Sequence, residues 1–183
     1  MIVIFLDIDG VLNSHRTAIA FGGFPFDAKA HRHRFDEVAL RLIGGIAEAS
    51  GASIVLSSSW RTDVNWKEIG PALGLTIVDR TPSMLGPRGK EIAAWLEAHP
   101  EVESYAIVDD DGDMLPEQKP FFVHTNMFEG FTWDCACKLA GLMGIDIHDV
   151  NHPGQRLPVP TKTLEWEPVV GVVGFGGGRG GGT

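Results

Sequence analysis

The chain has 183 residues, 44% of them hydrophobic, which fits one domain with a sizeable core. Its 15 Lys and Arg against 24 Asp and Glu give a formal net charge of -9, which argues against broad, sequence-independent binding to nucleic acid while leaving room for a local basic patch. The first apolar stretch is too short for a signal sequence or a membrane span, and Cys135 and Cys137 lack the spaced partners of a zinc site or disulfide framework. The expectation is a soluble, cytoplasmic protein with two reduced core thiols and no membrane partner.

In chain order, the apolar run 2–6 reads as a buried strand. It delivers Asp7-Ile8-Asp9-Gly10-Val11-Leu12-Asn13 at its C-terminal end. Two carboxylates beside a core need a metal, hydrogen bonds or cations to compensate them. A carboxylate can attack phosphorus once a cation offsets the repulsion, and a second can move the proton of the leaving oxygen. Gly10 lets the chain turn away from the strand without a Cβ clash. The same residues could also merely cap a turn.

Residues 14–35 read as a long loop containing Phe21, Phe24, Phe26 and the basic run His31-Arg32-His33-Arg34. Long loops in compact domains serve as lids or binding loops, so this segment is a candidate flap. A helix of about fifteen residues begins near Asp36 as N-cap, with Val38, Leu42, Ile43, Ile46 and Ala47 on one face. The run 53–56 is the next strand, followed by Ser57-Ser58-Ser59-Trp60-Arg61. A hydroxyl and successive amides at a strand end suit phosphate oxygens, although serines there also cap helices. Arg61 reads either as a phosphate clamp or as a surface charge.

A helix over 63–73 and a strand over 75–78 come next. A helix over 90–98 then opens on Lys90, a cation set against the helix dipole that needs another reason to be there; Arg88, just before it, is a second candidate clamp. The strand 105–108 runs into Asp109-Asp110-Asp111-Gly112-Asp113. Adjacent carboxylates repel unless a hard cation shares them, and Mg²⁺ fits because it takes few carboxylates and binds phosphate oxygens. A calcium loop is excluded, since its central glycine position and terminal glutamate are missing. A short strand over 121–123 and a helix over 132–143 complete the alternation, and residues 151–183 form a Pro- and Gly-rich extension. Strands alternating with helices imply an α/β fold with a mainly parallel sheet, whose ligands bind beyond the carboxyl ends of the strands.

Taken together, DxDGVLN, an apolar strand ending in Ser, a Lys at a helix start and an apolar strand ending in Asp-Asp resemble the haloacid dehalogenase (HAD) superfamily of Asp-nucleophile phosphohydrolases. The Leu-Ser-Ser-Ser-Trp-Arg form is similar to the HAD domains of nucleic-acid repair proteins. The resemblance covers residues 2–113 and implies a HAD-like Rossmannoid three-layer α/β/α sandwich over residues 1–150, with a small flap and no large cap domain. It implies Asp7 as nucleophile and metal ligand, and Asp9 as general acid and base with its main-chain carbonyl on the metal. Ser57 would orient the phosphoryl group with help from Ser58, Lys90 would offset charge, and Asp109 with Asp110 would hold Mg²⁺, with Asp113 as the alternative to Asp110. The implied activity is a Mg²⁺-dependent phosphomonoesterase with an aspartyl-phosphate intermediate. An open, cap-poor site suits a nucleotide or a nucleic-acid terminal phosphate; a small-metabolite or phosphoprotein phosphatase and a non-catalytic phosphate-binding module are the alternatives. Oligomeric state is not legible.

Overall fold

A computed structural model describes residues 1–63 and 65–150 of the chain. The C-terminal extension expected over 151–183 lies outside the described residues. A five-stranded sheet has the order β3-β2-β1-β4-β5, with β1 (Ile2–Leu6) in the centre, β2 (Ser53–Leu56) and β4 (Ser104–Asp109) beside it, and β3 (Ile77–Arg80) and β5 (Phe122–His124) at the edges. Every pairing is parallel. A central parallel strand is covered on both faces, which is why β1 is apolar throughout rather than alternating with polar residues.

The pleat divides β1 between two cores. Ile4 and Leu6 face a cluster with Ile43 and Ile46 of α2 (Glu37–Ser50), Ile69 and Leu73 of α3 (Trp66–Leu73) and Leu139 of α5 (Trp133–Leu142). Val3 and Phe5 face the other cluster, with Ile92 and Trp95 of α4 (Arg88–Ala98). The result is a three-layer α/β/α sandwich with three helices on one side and α4 on the other. Each fully buried Ile, Leu or Phe contributes about 1.5–3 kcal/mol relative to an exposed one.

Local signals fix several element ends. The Asp36 carboxylate accepts from the amides of Val38 and Ala39 at 2.9 and 3.2 Å, so α2 starts one residue later. Its inward stripe is then Ala39, Leu40, Ile43, Ile46 and Ala47, while Val38, expected inside, is exposed. Gly74, in the left-handed region at φ 73°, ends α3, and Leu75 turns into the core instead of starting a strand, so β3 begins at Ile77. Asp63 and Asn65, expected to be helical, lie between a short 3₁₀ turn over Ser59–Thr62 and α3, and the same expectation for residue 64 lies outside the described residues. Cys137 is exposed rather than in the core, and both cysteines are free. No helix among the described residues is long and apolar enough to cross a membrane.

The segment 14–35 is more ordered than a loop. It contains α1 (His15–Phe21), whose N-cap Ser14 exchanges hydrogen bonds with Thr17 in a capping box, and a 3₁₀ turn over Arg32–Arg34. The amides of His15 and Arg16 donate to the carbonyls of Met127 and Phe128, which tie the flap to the loop after β5.

Phe5 makes edge contacts with Trp95 and Tyr105 at ring-centroid distances of 5.3 and 6.0 Å. Phe5→Ala is expected to cost about 3–5 kcal/mol in urea unfolding, because the sheet between two helical layers cannot collapse into the void.

Candidate functional site

The site forms where β1 and β4 end side by side. The Asp7 amide donates to the Val108 carbonyl at 3.0 Å, so parallel pairing itself brings Asp7 next to Asp109, the last residue of β4. Gly10, at φ 72°, turns the chain after β1, and a Cβ at this position would lie 2.2 Å from Cγ of Asp110. The missing side chain is the space Asp110 occupies. Ligand atoms of Asp7, Asp109 and Asp110 consequently all lie within 4.8 Å of one another. Thr125, which sequence reasoning missed, pins both loops: its hydroxyl donates to the Gly10 carbonyl at 2.8 Å and its amide to the Asp109 carbonyl at 2.9 Å. Asp113 does not join the cluster; its carboxylate accepts from the Arg88 amide at 2.8 Å and so caps the start of α4.

Burial dominates the electrostatics. It pushes the Asp7 carboxyl up to about 6 against the nearby Arg88 charge and a hydrogen bond from Ser58. Burial, then the Asp7 charge, pushes Asp109 up to about 8, and Asp110 is also raised, by burial and by Asp111. One buried oxygen of Asp109 has no hydrogen-bond partner. Three crowded carboxylates that resist ionisation together, one with an unused oxygen, are a donor set suited to a hard divalent cation.

The cation facing this cluster is Arg88 rather than Lys90. Arg88 Nη1 lies 3.5 Å from Asp7 Oδ1 and its Nε 3.9 Å from Asp109 Oδ2, with the side chain only 14% exposed. Lys90 is exposed and makes no ion pair among the described residues. The reason is helical phase: α4 turns Arg88, Glu91, Ile92 and Trp95 inward at spacings of three and four, which leaves position 90 on the outer face. Glu91, also unforeseen, is buried and binds Arg61 Nη2 at 2.5 Å, with Arg88 Nε 4.0 Å away. Arg61 is therefore not a surface charge; its Nη1 also donates to the Ser58 carbonyl at 2.7 Å.

Ser57 and Ser58 follow β2, and both are fully buried. The Ser57 amide donates to the Leu6 carbonyl at 2.8 Å, whereas its hydroxyl has no partner among the described residues. Ser58 spends its side chain on Asp7 and on the Trp60 amide. Asp9 turns away from the other acids: Oδ1 accepts from Asn13 at 2.8 Å and Oδ2 from the Trp60 indole at 2.8 Å. Held so, Asp9 lines a cleft of about 580 Å³ walled by flap residues Pro25 to Lys29 on one part and by Trp60, Asn65 and Glu68 on another.

Gly10→Ala is expected to displace Asp110 and weaken Mg²⁺ binding at least about ten-fold in a calorimetric titration, with the sheet retained. A second expectation concerns pH. Asp7 and Asp109 hold protons more tightly folded than at their ordinary value of 3.8, so the stability they confer is complete below about pH 4 and is lost as pH rises through about 6 and about 8. In chelator, the Tm of the wild-type chain should fall relative to Asp109→Asn over that range, and Mg²⁺ should restore it most at the alkaline end.

Comparison with known proteins agrees with this geometry. No curated protein and no solved structure gave a match. The family described as HAD domain in Swiss Army Knife RNA repair proteins matches residues 3–136, a span that begins in β1, takes in the acidic cluster and Arg88, and ends in the first turn of α5. The chain belongs to this family of HAD domains.

Proposed function

We propose that the protein is a Mg²⁺-dependent phosphomonoesterase acting through an aspartyl-phosphate on nucleotides or on RNA terminal phosphates. The observation that carries this reading is the division of labour among the acids: Asp7 sits with Asp109 and Asp110, while Asp9 faces the neighbouring cleft. The arrangement supports one group that reacts and another that handles the proton of the leaving oxygen.

In the proposed reaction an Asp7 oxygen attacks phosphorus in line with the leaving oxygen. The P–O bond to the leaving group breaks as Asp9 gives that oxygen a proton. Water then attacks phosphorus of the acyl phosphate, Asp9 takes a proton back, and inorganic phosphate leaves with Asp7 restored. Asp7, Asp109 and Asp110 would hold Mg²⁺, which neutralises phosphoryl charge when bound. Arg88 offsets charge on Asp7 and on the transferring group, Arg61 and Glu91 hold Arg88 in register, and the unpartnered Ser57 hydroxyl is free to donate to a phosphoryl oxygen. Lys90 was the sequence-based choice for the charge-offsetting role; its exposed position favours Arg88 instead.

The cleft beside Asp9 would receive the leaving group. Its size falls within the roughly 300–1,000 Å³ of small-molecule sites. Of the three flap phenylalanines, Phe26 lines it and is 80% exposed, and Trp60 belongs to the same lining. Phe24 instead packs edge-on against His15, and Phe21 lines a different hollow. An exposed phenylalanine and an indole in one cleft favour a planar base over a sugar phosphate. The free thiols Cys135 and Cys137 fit a reducing, cytoplasmic setting.

The test is phosphate release from p-nitrophenyl phosphate and from a nucleotide panel with Mg²⁺. Asp7→Asn should abolish release, and Arg88→Met should lower kcat/KM by about 10²–10³, the cost of losing one preorganised charge-stabilising group. Lys90→Ala should stay within a few-fold of wild type. Near wild-type turnover by Asp7→Asn would sink the mechanism.

A further inference from the structure

A second cavity, of about 420 Å³, opens next to Arg61 and is lined by Arg61, Thr62, Arg80, Thr81, Pro82 and Ser83. Its character is the reverse of the cleft beside Asp9. That cleft includes Asp9, Asp27, Asp63 and Glu68 against the single cation Lys29. The second cavity has two guanidiniums, three hydroxyls and no carboxylate in its lining.

Its donors are unusually free. Arg61 is paired with Glu91, yet its buried Nε has no hydrogen-bond partner. The Thr81 hydroxyl, on a residue only 2% exposed, also has none. Arg80 makes no ion pair among the described residues. It donates through Nη1 to the Arg61 carbonyl, and its guanidinium lies 5.1 Å from the Trp66 ring centroid, which aligns the group without neutralising it. Two residues of one cationic lining thus each keep a buried polar atom without a partner among the described residues, a costly arrangement that an anion drawn against this wall would relieve.

The position suits a substrate that already occupies the acidic cluster. The Thr81 amide donates to the Leu56 carbonyl at 3.0 Å, so the cavity stands at the C-terminal end of β3, beside Ser57 and two strands from Asp7. Two strand spacings amount to roughly 10 Å. An anion there lies within reach of an extended substrate whose reacting phosphate is at Asp7.

We propose that this cavity is a second phosphate subsite, taking a non-reacting phosphate of the same substrate, either the other phosphate of a nucleoside 3′,5′-bisphosphate or the neighbouring phosphodiester of an RNA end. The assignment rests on the reading of the main site as a nucleotide phosphatase. It adds that a second phosphate, rather than the base alone, sets affinity, and that this phosphate is kept out of the acid-lined cleft by repulsion.

The test compares wild type with Arg80→Gln on three classes of substrate: p-nitrophenyl phosphate, adenosine 3′- and 5′-monophosphates, and adenosine 3′,5′-bisphosphate, with a phosphorylated dinucleotide as the arm that separates the two phosphate sources. Arg80→Gln should raise KM about ten-fold for the substrates with two phosphates, as expected for one lost charge-assisted contact, and leave the other two classes within two-fold. Thr81→Val should act in the same direction more weakly. An equal change for all substrates, or none for the bisphosphate and the dinucleotide, overturns the subsite. If wild type turns over none of them, the phosphatase reading fails, and calorimetric titration decides the subsite alone. Wild type should then bind the bisphosphate about ten-fold more tightly than either monophosphate, a difference that Arg80→Gln removes; equal affinities overturn it.

Discussion

The end of β1 is organised around a charge that the core would reject on its own. Asp7 and Asp109 are almost fully buried, are brought together by strand pairing, and face Arg88 at distances too long for strong hydrogen bonds. Glu91 and Arg61 extend this into a group of three carboxylates and two guanidiniums, one negative charge in excess before Asp110 is counted. Buried charges of this kind persist when each has a partner and the surplus has somewhere to go. Here the protein supplies partners for the guanidiniums and leaves the surplus on the side where Asp109 has an unused oxygen. A divalent cation resolves the imbalance more completely than rearranging side chains could, since both guanidiniums are already engaged by Glu91.

Much of this was legible in the sequence because the acids follow apolar runs. Asp7 and Asp109 end strands whose burial is written in β-branched and aromatic residues, the alternation of runs and helices carries the α/β layering, and the ordered motifs from Asp7 to Asp110 carry the resemblance to the family. What escaped was information carried by helical phase and by contacts across the sheet. Lys90 looked conspicuous at a helix start, but the stripe through Ile92 and Trp95 selects Arg88 and Glu91, a signal present in the sequence and outweighed by the familiar position of the lysine. Thr125 and the capping role of Asp113 had no local signal at all, since each acts on a residue far away in the chain. Order in the flap was partly visible: Ser14 and Thr17 form a capping pair and Gly22 a left-handed stop, but the surrounding Gly and Phe residues concealed one short helix.

The two hollows that flank the reacting groups differ in sign, and the difference follows from which loops build them. The flap and the face of α3 bring carboxylates and aromatic rings to the cleft beside Asp9. The ends of β2 and β3 bring guanidiniums and hydroxyls. Trp60 and Arg61, neighbours in one 3₁₀ turn, serve opposite sides: the indole fixes Asp9, and the guanidinium is locked to Glu91. A single short turn therefore couples Asp9 to the cationic flank, so that a shift in one is felt by the other.

The empty volume at Gly10 has a consequence for how the molecule comes into being. The cluster joins residue 7 to residues 109 and 110, on strands that are neighbours in the sheet and a hundred residues apart in the chain. Closing so long a loop is slow and entropically expensive, and it is complete only when the Asp110 side chain settles over the bare backbone of Gly10. A partly folded chain, with β1 and β2 joined but β4 still apart, carries only one of the three clustered carboxylates. Affinity for a divalent ion thus requires the β1–β4 pairing, and an ion bound there would act as a latch on the finished topology rather than as a seed for it.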